Sequence, residues 1–72
     1  MQFTARQYNL LELAIAQRKR IAIIRRGSEY VVLPERIMLR AGRETIETVQ
    51  PSTGDRMTVY LDEIDDFEIV GG

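Results

Sequence analysis

The stretch VVLPERIMLRAGRETIETVQPSTGDRMTVYLDEIDDFEIV, residues 31–70, decides the fold. Within it, short alternating apolar runs follow one another through Pro34, Ala41-Gly42, Pro51-Ser52-Thr53-Gly54 and Leu61-Asp62-Glu63-Ile64. Period-two apolarity broken by Pro and Gly reads as strands joined by turns. Strands this short, with turns this tight, cover both ends of a sheet only by curling. The pattern therefore predicts a small, strongly bent barrel.

Individual strands follow from the same signals. Ile21 to Ile24 form the first, with Ile21 and Ile23 on one face. Gly27-Ser28 reads as a type II′ hairpin turn, which needs glycine first. Glu29 to Leu33 return as the second strand, ended by Pro34, which cannot donate to a ladder. Pro34-Glu35-Arg36 is expected to make a short turn or one 3₁₀ turn. Ile37-Met38-Leu39 and Glu44 to Val49 flank Ala41-Gly42, either as a tight hairpin or as one bent strand with a bulge. After the Pro51–Gly54 turn, Met57, Val59 and Leu61 alternate inward, opposite Thr58 and Tyr60. Glu63 to Asp66 turn the chain into a last strand carrying Phe67 and Ile69. Gly71-Gly72 reads as a fraying end.

Ahead of the strands stands a complete helix-start signal. Thr4 is placed to N-cap, Gln7 is its capping-box partner, and Phe3 and Tyr8 take the two hydrophobic-staple positions. From Ala5 to about Arg18, Tyr8, Leu11 and Ile15, flanked by Leu10, Leu13 and Ala14, make a broad apolar stripe. Arg18, Lys19 and Arg20 close the helix, where cations complement the C-terminal dipole. A solvated helix end explains that cluster more simply than phosphate contact does.

The expected fold is thus mainly β, of the α+β class. It is a single domain over residues 1–72, with a helix at about 5–18 and a five-stranded, strongly bent Sm-like or SH3-like barrel at about 20–70. An OB-like barrel suits the chain less well, because no helix pattern falls between the third and fourth strands. The expected core is Leu11, Ile15, Ile21, Ile23, Val32, Ile37, Ile46, Val59, Leu61, Ile64, Phe67 and Ile69.

Composition narrows the chemistry. At 72 residues the chain lies near the lower limit for one hydrophobic core, and it has no cysteine to staple it. It has no histidine either, which removes the usual neutral-pH acid/base group and the commonest metal ligand. The expectation is no enzyme, no cofactor and no metal site. No window has the length and apolarity of a membrane span, and Met1-Gln2-Phe3-Thr4 does not read as a signal peptide. A bacterial-type cytoplasm and no membrane partner are expected.

The net charge of −1 conceals a polar chain. Residues 1–43 hold nine Lys/Arg against three Asp/Glu, a net of +6, and residues 44–72 hold one Arg against eight Asp/Glu, a net of −7. Cross-strand pairing of these charges is the preferred reading over a wholly basic face.

Two family resemblances enter here. Pro34-Glu-Arg-Ile37, Gly42-Arg43 and Thr58-Val-Tyr-Leu-Asp-Glu-Ile64 resemble the WYL domain of bacterial transcription regulators over roughly Leu10 to Val70. In that family a proline-led turn precedes the strand bearing a Trp-Tyr-Leu triad, and a Thr-Phe-Arg-Leu-Asp-Arg-Ile segment leads into the closing strand. Here the triad falls at Glu44-Thr45-Ile46, and the two arginines of the later segment fall at Tyr60 and Glu63. The resemblance implies an Sm-like barrel sensing a ligand or nucleic acid for a regulator. The chain also resembles the bacterial Rho-binding antiterminators, through Tyr8-Asn-Leu-Leu-Glu-Leu-Ala14 and through Leu61-Asp62, Ile64 and Phe67. That likeness implies a small acidic protein docking on the Rho helicase.

The residues offer little for catalysis. Ser28 and Ser52 both fall in turns, with no base to activate them. Asp62, Glu63, Asp65 and Asp66 lack the glycine-punctuated spacing of a calcium loop and read as an acidic surface turn. Asp62 is expected to accept that turn's free backbone N–H groups.

Nucleic-acid contact has better material, with eight cations between Arg18 and Arg43. Arg25, Arg26, Arg36, Arg40 and Arg43 are the candidate contacts for nucleic acid or a small anion. Tyr30 and Tyr60 are possible stacking platforms, and Tyr60 joins the candidate site. The expected function is a non-catalytic regulatory module in transcription control. Its expected partners are RNA or single-stranded DNA, a protein of the transcription machinery or Rho, or a second copy of itself.

Overall fold

The computed structural model describes residues 3–71. Met1, Gln2 and Gly72 lie outside the described residues, and with them the readings of the extreme N-terminus and of Gly72 as fraying. Helix α1 (Ala5–Ala16) is followed by strands β1 (Arg20–Arg25), β2 (Ser28–Arg40), β3 (Arg43–Val49) and β4 (Arg56–Tyr60). A 3₁₀ turn (Leu61–Glu63) and strand β5 (Asp66–Gly71) complete the chain. The pairings are antiparallel, in the spatial order β4-β3-β2-β1-β5.

The start of α1 carries the expected capping box. Gln7 N–H donates to Thr4 Oγ1 at 3.2 Å, and Thr4 N–H donates to Gln7 Oε1 at 3.0 Å. A cap of this kind stabilises a helix by about 1 kcal/mol. The helix ends at Ala16, two residues before the expected Arg18, and no basic residue lies in its last turn. Arg18 instead takes a left-handed conformation, φ 54°. Its N–H reaches Ile15 O at 3.3 Å while Lys19 N–H reaches Ala14 O at 2.9 Å. These two bonds form a Schellman motif, which satisfies the helix's last carbonyls and turns the chain into β1.

Both tight hairpins are type I′. Arg25 pairs with Ser28, so the first turn is Arg26-Gly27 (φ 51° and 77°), not the expected Gly27-Ser28 type II′ turn. Arg40 pairs with Arg43 across Ala41-Gly42 (φ 50° and 79°), which settles the second connection as a hairpin. Positive φ at both central residues matches the right-handed twist of the flanking strands.

Pro34 does not end a strand. β2 runs through it for 13 residues, with a register shift between Pro34 and Arg36. Val32 is its last partner with β1 and Leu33 its first with β3. The proline therefore sits where the strand changes neighbours, and the extra residue Glu35 bends it there. The expected turn or 3₁₀ turn at Pro34–Arg36 is absent; the 3₁₀ turn lies at Leu61–Glu63 and takes Leu61 out of β4. Gly71 is not frayed, because it pairs with Arg20.

Closure of the sheet is the largest difference from expectation. β4 and β5 end the ladder on opposite sides without pairing with each other, so the sheet is bent but not closed into a barrel. Its concave side is filled from elsewhere. Leu11 and Ala14 of α1 and Leu61 and Ile64 around the 3₁₀ turn are buried in one cluster with Ile21, Ile23, Val32, Ile46 and Val59. Each large aliphatic side chain there contributes about 1.5–3 kcal/mol on burial. Ile15, Ile37, Phe67 and Ile69, expected in the core, are half-buried and form its rim. Phe3 stacks on Phe67 with ring centroids 5.4 Å apart.

Two buried threonines were not foreseen. Thr45 and Thr48 are both 0 % exposed. Thr48 Oγ1 donates to Met57 O at 2.8 Å, and Thr45 Oγ1 to Met38 O at 3.4 Å. Each hydroxyl is thus withdrawn from water with a partner, Thr48 on the core side of β3 and Thr45 on the other, as a buried polar group requires. No helix among the described residues is long and apolar enough to cross a membrane.

Candidate functional site

The strand pairings sort the side chains of β2, β3 and β4 onto two faces. Ile46, Thr48 and Val59 point toward α1 and the core. On the opposite face, Arg36 lies across from Glu47, Met38 across from Thr45, and Arg40 across from Arg43; Thr45 in turn lies across from Tyr60. The period-two alternation thereby brings Arg36, Arg40, Arg43 and Tyr60 onto one outward surface. Arg56 extends it along β4, holding Glu35 at 2.7 Å. Arg56 was not among the expected contacts; a strand cation at the same period-two positions as Thr58 and Tyr60 was its signal.

Arg43 is the most constrained of these side chains. Its Nη2 and Nε donate to the two Asp62 oxygens at 2.7 and 3.1 Å. The same guanidinium lies over the Tyr60 ring, 3.8 Å from its centroid. The hydrogen bond from Arg43 holds the Asp62 carboxyl below the usual carboxylate range, against a smaller opposing effect of desolvation. Asp62 therefore accepts from Arg43 rather than from the backbone of its own turn, as had been expected. Arg36 Nε donates to Glu47 at 2.6 Å and likewise lowers that carboxyl's pKa. Arg40 makes no ion pair among the described residues.

Arg25 and Arg26 lie elsewhere, at the β1–β2 turn. Together with Arg43 they approach Glu63: Arg25 Nη1 at 3.9 Å, Arg26 Nη2 at 3.9 Å and Arg43 Nη2 at 3.7 Å. Arg25 also lies 5.3 Å from the centroid of the Tyr30 ring. Both expected stacking platforms, Tyr30 and Tyr60, thus carry an arginine on one face. For Tyr60, the outer plane of the Arg43 guanidinium becomes the surface a base could stack on.

The acidic run is distributed among different partners. Asp62 holds Arg43, Glu63 faces three arginines, Asp65 accepts the Arg26 backbone N–H at 3.1 Å, and Asp66 accepts the Phe67 N–H at 2.8 Å. Among the described residues no group of three or more carboxylates is arranged to hold a metal ion. The basic early half and the acidic late half meet mainly here and at Arg36–Glu47, so the preferred reading of internal charge pairing is realised. Which acid met which arginine was not legible, since Arg43 and Asp62 come together only when β4 folds back on β3.

On the α1 side, the Tyr8 phenol's pKa is raised, first by hydrogen bonding to Glu44 and further by burial and the charges of Glu44 and Glu12. Comparison with known proteins gives no match to any family, curated protein or solved structure.

Proposed function

We propose that this chain is a non-catalytic regulatory module that binds single-stranded nucleic acid through the outward face of β2, β3 and β4. Arg36, Arg40 and Arg56 supply phosphate contacts, and the Arg43–Tyr60 stack supplies a flat surface for a base. Arg25 and Arg26 extend the path around the 3₁₀ turn. The observation that carries the reading is the sharing of one uncovered face by these cations and an aromatic ring, opposite the face packed on α1. Phosphate contacts and ring stacking are the two ingredients of single-strand binding.

The finer fold reading belongs to the same proposal. The strand order, the bend within β2 and the 3₁₀ turn ahead of the last strand suit an open relative of the Sm-like or SH3-like barrel. A stand-alone WYL-like role in bacterial transcription control accords with that architecture.

The test is fluorescence anisotropy of labelled single-stranded RNA and DNA oligomers across a salt series. Binding should weaken by a log–log slope of roughly −0.7 per phosphate neutralised. Absence of binding at low salt defeats the proposal. A second reading, docking on Rho or a similar partner through the helix, rests on Leu10 and Leu13, which α1 leaves 39 % and 46 % exposed. A pull-down with purified Rho that recovers nothing removes it.

A further inference from the structure

Three guanidinium groups converge on the Glu63 carboxylate, and none is bonded to it. The separations of 3.7–3.9 Å exceed the roughly 2.7–2.9 Å of a charge-assisted hydrogen bond. The side chains of Arg25 and Arg26 donate no hydrogen bond to any acceptor among the described residues. The neighbouring acids are engaged elsewhere: Asp62 in short bonds to Arg43, Asp65 with the Arg26 backbone N–H. Glu63 alone faces the trio. Its side chain is 29 % exposed and that of Arg25 is 25 % exposed, so their charges are partly withdrawn from water.

A group of donors held around an anion at this distance has unused capacity. A phosphodiester is a bulkier tetrahedral anion, whose two non-bridging oxygens present more lone pairs to a guanidinium fork than a distant carboxylate does. We propose that Glu63 occupies the seat of a backbone phosphate and acts as an internal competitor for it. This rests on the nucleic-acid reading above. When a strand enters, Glu63 swings toward solvent, and Arg25 and Arg26 donate to the phosphate oxygens. Arg43 stays on Tyr60 and Asp62 and fixes the floor of the site. Removing the Glu63 charge therefore pre-empties the seat and tightens binding.

The experiment compares wild type, Glu63→Gln and Glu68→Gln by anisotropy with a labelled uridine oligomer at about 50 mM salt. Glu68→Gln removes the same charge from exposed β5 and reports the general effect of net charge. Glu63→Gln should bind about fivefold tighter than wild type, against less than about twofold for Glu68→Gln, with a salt slope steeper by roughly 0.7, one further phosphate. Equal affinities of the two variants, with wild type still binding, overturn the competitor while leaving the nucleic-acid reading in place. No binding by any of the three overturns both.

A wild-type measurement covers the case in which Glu63→Gln does not fold. In ¹H–¹⁵N spectra the Nε–Hε signals of Arg25 and Arg26 should move on adding the oligomer, while that of Arg6 on α1 stays fixed. Movement of those signals with inorganic phosphate but not with the oligomer assigns the seat to a free phosphate and overturns the strand proposal. Their immobility with both probes overturns it as well.

Discussion

The guanidinium of Arg43 is clamped between the Tyr60 ring, 3.8 Å below it, and the two oxygens of Asp62, at 2.7 and 3.1 Å. A planar fork fits both partners at once, and a lysine ammonium fits neither in the same way. Arg43→Lys should keep the fold and the formal charge, yet lose the stack and the paired bonds. We expect single-strand affinity to fall about three- to tenfold, in line with about 1 kcal/mol for a stacked arginine. Anisotropy checks the affinity, and the ring-proton NMR signals of Tyr60 report the uncovered ring.

The same clamp sets an acid dependence. Asp62 and Glu47 titrate below their ordinary values because Arg43 and Arg36 donate to their ionised forms. A lowered folded pKa means the unfolded chain takes up the proton first. Their stabilisation is therefore complete above the unfolded values near about 4 and is lost as pH falls through the lower folded ones. In a carboxyl NMR titration, Arg43→Gln should move the Asp62 midpoint upward and leave Glu47 unchanged; Arg36→Gln should do the reverse.

Tyr8 works in the opposite direction at alkaline pH. Its pKa is raised, chiefly by the bond to Glu44, so its contribution is present below the unfolded value near about 10 and disappears as pH rises through the folded one. Glu44→Gln should bring the Tyr8 ultraviolet titration back down. An unchanged midpoint would show that the bond does not control it.

Backbone strain at Arg18 and Ala41 can be relieved. Both residues hold positive φ, 54° and 50°, where a Cβ costs about 1–2 kcal/mol. Arg18→Gly keeps the Schellman bonds, and Ala41→Asn suits the first position of a type I′ turn. Each should stabilise by about 0.5–1 kcal/mol, raising the melting temperature by roughly 2–8 °C in a domain this small. Gly42→Ala should do the opposite although nothing lies within 4 Å of an added Cβ, so backbone conformation alone sets its cost. Thermal denaturation followed by circular dichroism distinguishes all three.

The core prediction concerns Ile46 and Thr48, adjacent inward positions of β3, both 0 % exposed. Ile46→Val should cost about 0.5–1.5 kcal/mol and Ile46→Ala about 2–5. The larger loss approaches the whole stability of a chain this size, about 4–11 kcal/mol at 0.05–0.15 kcal/mol per residue. Thr48→Val keeps the shape and removes the bond to Met57 O, for about 1 kcal/mol. Urea unfolding midpoints rank the three variants.

Local chemistry was legible wherever a few neighbouring residues carried it. Thr4 and Gln7 announce the capping box, Pro51–Gly54 the long turn, and the alternation of Met57 and Val59 an inward strand face. Errors of one or two residues arose where two local solutions differ only in register. Arg26-Gly27 and Gly27-Ser28 are both acceptable turn dipeptides, and the pairing of Arg25 with Ser28 chooses between them. Pro34 looked like a strand end because its missing N–H breaks one ladder; in the structure the β1 ladder has already finished at Val32.

By itself, then, the order of residues determined one capped helix, a following run of strands joined by tight turns and the identity of most of the buried aliphatic side chains. Those features depend on interactions a few residues apart and on apolar periodicity, both present in any window of the chain. Tertiary structure alone decided that β4 and β5 stay apart, that Tyr60 lies beneath Arg43, and that Glu63 faces Arg25, Arg26 and Arg43. The two side-chain meetings join groups 17 or more positions apart, and they, like the separation of β4 from β5, are set by how far the sheet bends around α1 and the Leu61–Glu63 turn.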